Sequence, residues 1–157
     1  MAIIRTEIPM PLRWLIGVAA VASAFLAMDS LRLFSESPLL DFVITVQNHY
    51  YYALMGLLLP LCFLIYPSFR SPKSLWLDGV LSLAACCACV FFFINAETML
   101  DYGWEFSAPA YAVWVSYLLW ALIMEGVRRS GGWVLFFLVL VFSLYPIVAD
   151  MLPGPIS

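Results

Sequence analysis

Cys86 and Cys89, in the stretch "SLAACCAC", have the C-x-x-C spacing that serves thiol–disulfide exchange or supplies half of a zinc site. That chemistry needs thiolates and a route for water. Both residues instead fall near the middle of an apolar run, with no histidine close in sequence. The preferred reading is a face of small residues that lets another helix approach closely; a membrane thiol redox protein using Cys86 and Cys89 is the alternative. The single histidine, His49, precedes Tyr50, Tyr51 and Tyr52. One histidine excludes bis-histidine haem ligation within the chain, and its neighbours place it in an interfacial aromatic belt rather than at a metal or a proton path.

Ion coupling would call for a carboxylate deep in the apolar sequence. Asp78 stands three residues into one apolar segment, where a helix N-terminus suits an acid. Glu125 precedes Arg128 and Arg129 by three and four residues, the spacing of pairs along one helix. Asp29 and Arg32 share the i, i+3 relation. All of these stand at segment ends, so no transport or proton site of the chain's own is expected. No Gly-rich phosphate loop and no Ser/His/Asp set appears, and neither an enzyme nor a cofactor is expected.

These residues must be positioned by helices in lipid. The chain has 157 residues, 65% hydrophobic and only 11% charged, with a mean hydropathy of +1.00. A soluble domain needs far more charged surface. The net charge of −3 and the lack of a basic tract exclude a nucleic-acid partner. Aromatics make up 17%, including six Trp and eight Tyr, which suits two membrane interfaces. A span needs about 20 mostly apolar residues. Five segments come close: 12–34, 50–66, 75–94, 108–124 and 132–149. They lack two-residue alternation, so an all-α integral membrane protein is expected, one transmembrane domain over 1–157. Pro67 and Pro72 bracket one turn, Pro60 bends the second span, and Gly131 and Gly132 permit a tight turn.

Alternating the five spans puts Arg5, Arg13, Arg70, Lys73, Arg128 and Arg129 on one side and only Arg32 on the other. The basic side faces the cytoplasm, which predicts the N-terminus in and the C-terminus out. A four-span alternative would keep Arg128 and Arg129 inside one continuous helix. The expected arrangement makes "EGVRRSGG" a cytoplasmic turn with its arginines at a helix C-terminus. Arg5 and Arg13 followed by "WLIGVAAVASA" also have the form of a signal peptide, with small residues near Ala22-Ser23-Ala24. An uncut anchor is expected, and cleavage would leave the remaining topology unchanged.

From His49 onward, "HYYYALMGLLLPLCFLIYP", "LDGVLSLAA", "FFFINAE", "EGVRRSGGW" and "YPIVADMLPG" follow in order. This ordered set resembles the small membrane component of tripartite ATP-independent periplasmic (TRAP) transporters, above all the amino-terminal part of fused permeases that work with TAXI-type binding proteins. It covers His49 to Gly154, about two thirds of the chain; residues 1–48 share only their apolar character. The resemblance implies a bacterial inner-membrane subunit that transports nothing alone. It would scaffold a large permease and help a periplasmic binding protein dock, in organic-acid uptake driven by a cation gradient. It also sets Glu125, Arg128, Arg129, Gly132 and Trp133 on the family motif. Fused permeases run on past the "LPG" equivalent whereas this chain ends at Ser157, so the large permease is expected to be a separate polypeptide. Asp29, Arg32, Glu97, Asp101 and Glu105 are the groups expected to be available for docking. The small subunit of tripartite tricarboxylate transporters is the nearest rival reading.

Overall fold

The computed structural model describes residues 10–30, 47–67, 72–104 and 106–149. Proline and glycine punctuate its helices. α1 is Met10–Ser30, α2 Gln47–Ile65, α3 Pro72–Ile94, α4 Ala96–Asp101 and α5 Ala110–Ala149. Pro72 opens α3, where its missing N–H leaves no gap in the ladder. Pro109 precedes α5 and its carbonyl accepts the N–H groups of Ala112 and Val113 at 2.9 and 3.2 Å. Pro60 lies inside α2.

α4 was not expected from the sequence. It ends in a Schellman motif: Gly103 at φ 58° bonds Leu100 O at 3.2 Å, and Trp104 N–H reaches Met99 O at 3.0 Å. The other boundaries shift by a few residues. The span expected over 12–34 is helical over Met10–Ser30, and 31–34 lie outside the described residues. Those expected over 50–66 and 75–94 extend to Gln47 and Pro72 at their starts.

Among the described residues no strand occurs, and four helices are long and apolar enough to cross a membrane. The chain is an all-α membrane protein. The fourth of these stretches has 36 residues, Ala110–Tyr145. Straight, it would measure about 54 Å, nearly twice the ~30 Å of hydrocarbon. It is not straight. Gly132, at φ 75° and ψ −173°, leaves helical geometry, and Trp120 Nε1 donates to Ser143 Oγ at 2.7 Å. In a continuous helix those residues would be about 35 Å apart. The bond brings their Cα atoms within roughly 10 Å, at points about 17 Å along each limb from Gly132. The limbs 110–131 and 133–149 therefore fold back on each other with an opening of at most about 35°.

The hairpin expected around "EGVRRSGG" is present, but most of that stretch is not turn. Residues 125–131 remain helical and only Gly132 breaks. The charges there are paired and Ser130 Oγ bonds Gly126 O at 2.9 Å, so nothing forces the helix to stop earlier. Gly131 matters through space: a Cβ there would overlap the Leu135 side chain as the second limb departs.

The core lies between α2, α3 and the first limb of α5. Ala88, Cys89, Phe92 and Leu119 form one cluster, and Phe63, Ala85 and Leu122 another. Small residues permit the approach: a Cβ on Gly56 would stand 3.3 Å from Cys89 Cβ, and one on Gly126 3.1 Å from Leu59 Cδ1. α1 packs on α2, while its outer face and that of the second limb are apolar and exposed. In water that surface would drive aggregation; in lipid it is the solvent-facing surface.

Candidate functional site

α2, α3 and α5 meet where four charges form one cluster. Arg129 is its centre. Its Nη1 donates to Asp78 Oδ1 at 2.7 Å and to Tyr66 O, just past the end of α2, at 3.3 Å. Its Nε donates to Glu125 Oε1 at 2.8 Å. Its guanidinium lies 5.1 Å from the centroid of the Phe63 ring, which is fully buried. Arg128 closes the other side with a two-point contact: Nε to Glu125 Oε2 and Nη2 to Glu125 Oε1, both at 2.7 Å. The Arg128 guanidinium lies 5.5 Å from the Trp133 ring.

The set is neutral, two carboxylates against two guanidiniums, which is the condition for burying it. Asp78 and Arg129 keep only 2% and 3% of their side-chain surface. An isolated ion at such a place carries a penalty of several kcal/mol. Pairing, an aromatic face and a backbone carbonyl offset it. The planar fork of arginine is what allows one side chain to serve Asp78, Glu125 and Tyr66 together.

The sequence placed Glu125, Arg128 and Arg129 on one helix correctly. It missed Asp78, which comes from 51 residues earlier and was read only as a helix-end acid. The available signal was that both were buried-type anomalies: a lone acid in α3 and one arginine more than Glu125 needs.

At the opposite end the expected docking pair does not stand as read. Arg32 lies outside the described residues. Asp29 is buried and accepts a hydrogen bond from the Tyr50 hydroxyl, joining α1 to α2. A buried carboxylate holding two helices together is not an exposed docking group. His49, near the start of α2, is likewise buried, its ring edge-on to Phe93 at 4.8 Å. Glu97 and Asp101 are exposed, and Glu105 lies outside the described residues.

The C-x-x-C pair is divided by the helix. Cys89 is buried against Gly56, while Cys86 is exposed on an apolar groove of about 460 Å³ between α1, α2 and α3. Among the described residues no group of three or more His, Cys, Asp or Glu side chains is placed to hold a metal ion. Trp133 and Gly132 stand at the hairpin, the glycine as the break and the tryptophan as an exposed ring beside Arg128. Comparisons with protein-family models, with curated proteins and with solved structures find no match.

Proposed function

We propose that this chain is the small, non-transporting membrane subunit of a TRAP-type transporter, holding a larger permease in the bilayer and helping a periplasmic binding protein to dock. The observation that carries the reading is the unit formed by Glu125, Arg128, Arg129, Gly132 and Trp133. These are residues that the family resemblance, carried by the ordered motifs from His49 to Gly154, sets on its motif. Here they make a corner, a hairpin turn tied to α3 through Asp78. A scaffold needs fixed helix positions, and its charges are used in fixing them. The exposed acids Glu97 and Asp101 remain as rim charges for docking, which act mainly on encounter rate and salt dependence. Uptake of an organic acid with a cation gradient is the expected activity of the assembled system.

Proteoliposomes test this. Uptake is expected only when this chain, a TRAP-type large permease and its binding protein are present together. Substrate-specific uptake by this chain alone, at the rate of the whole system, overturns the scaffold reading. So does full uptake by the permease and binding protein without it.

A further inference from the structure

The end of the bundle away from the arginines carries apolar rings that helix packing leaves uncovered. α4 is seated there by its inner side: Ala96 is fully buried, and the Tyr52 hydroxyl lies 3.9 Å from Met99 Sδ. The chain that follows points outward. Tyr102 is 76% exposed and Phe106 95%. Phe106 is held there, because its own N–H and that of Ser107 both bond Gly103 O, at 2.9 and 3.1 Å. Its neighbours are aromatic. Trp104 stands edge-on to Tyr111 at 6.0 Å, and Tyr111 edge-on to Phe91 at 6.1 Å. On α5 the exposed series continues through Tyr111, Trp114 and Tyr117.

We propose that the rings of Tyr102 and Phe106 lie in the headgroup layer of the bilayer, inserted between phospholipids. Three observations favour lipid as the occupant. First, α3 ends at Ile94 and α5 begins at Ala110, so 95–109 leaves the membrane and returns to it within a few residues. Second, the rings continue without a break into the exposed face of a membrane-crossing helix. The polar layer on each side is about 5–7 Å deep, and Tyr111 to Trp114 spans about 4.5 Å along α5. Such amphipathic rings concentrate in that layer. Third, the exposed charges among the described residues of this loop, Glu97 and Asp101, are acids, and residues 95–109 contain no Lys or Arg. They give no attraction to anionic headgroups, so insertion of rings alone must hold the segment, and it should do so in zwitterionic lipid. This inference depends on the membrane crossings and not on the transporter reading.

The test uses Phe106→Cys and Asp101→Cys, each carrying a small fluorophore, with the four native cysteines changed to Ala. The protein is reconstituted in phosphatidylcholine vesicles without any partner. A lipid nitroxide near the ester end of the acyl chain is expected to quench position 106 at least about twofold more than position 101, and iodide in the water to show the reverse order. Equal iodide quenching at both positions, with no excess lipid quenching at 106, overturns the proposal and leaves the rings to water or to a soluble protein. Should the cysteine-free chain fold poorly, the same two substitutions are made with the native cysteines kept and the unaltered chain as blank. Reaction with a membrane-impermeant maleimide is then expected to be several-fold slower at 106 than at 101, and equal rates overturn the idea.

Discussion

Replacing Arg129 by Met keeps an apolar stem of similar length and deletes the centre of the charge cluster. Asp78 loses the guanidinium that now sits 2.7 Å away at a site with 2% of its side-chain surface exposed. Glu125 keeps both bonds from Arg128. The damage should therefore concentrate on Asp78. Removing one partner of a buried pair costs about 3–5 kcal/mol. At roughly 2–4 °C per kcal/mol for a chain of this size, the unfolding midpoint should fall on the order of 6–20 °C. Arg128 supplies an internal comparison. Its side chain is 31% exposed, and its loss should cost no more than about 1 kcal/mol. The double substitution Arg129→Met with Asp78→Leu removes both ions, and such replacements are often neutral or stabilising by about 1–4 kcal/mol. It should recover most of the loss. The assay is unfolding followed by tryptophan fluorescence, in micelles and again in lipid nanodiscs. Equal small shifts for Arg128→Met and Arg129→Met would refute the reasoning, as would a double variant worse than Arg129→Met alone.

Cysteines at positions 120 and 143, in a background without the native four, should be joined within one chain by a bifunctional thiol reagent spanning about 10 Å; a continuous helix would hold them about 35 Å apart and give no such product. Cys89→Leu, which forces extra methylenes against Gly56, should cost about 1–3 kcal/mol, whereas Cys86→Leu on the open groove should stay within about 0.5 kcal/mol, both read as midpoint shifts. Tyr50→Phe removes the hydroxyl that Asp29 accepts, and should lower stability by about 1–3 kcal/mol while Tyr51→Phe, on an exposed ring, changes little.

Periodicity, proline and glycine made the helices and their approximate ends readable, because lipid leaves a chain few ways to satisfy its backbone. Gly132 was readable as a turn for the same local reason: only glycine enters φ 75° without strain. Glu125 with Arg128 and Arg129 was readable because the partners are one helical turn apart. What could not be read is what packing decides. Nothing local to Asp78 points to Arg129, and nothing local to Asp29 points to Tyr50, 21 residues away. "SLAACCAC" was recognisable as a packing face, yet only the rotation of α3 determines that Ala85, Ala88 and Cys89 face inward while Cys86 does not. α4 was missed because six residues at a loop end carry no periodic signal, and its stop, Gly103, looks like any loop glycine.

The Asp78–Arg129 bond also sets an order in time. A ribosome adds roughly 5–20 residues per second, so 51 residues separate the two partners by about 3–10 seconds of synthesis. Throughout that interval α2 and α3 can pair through Gly56 and Cys89, but the acid in α3 has no guanidinium to meet. A nascent chain that stalls before residue 129 lacks the guanidinium that joins α3 to the hairpin in the finished protein. The link between α3 and α5 is therefore among the last tertiary contacts the chain can make, and it comes only with the hairpin.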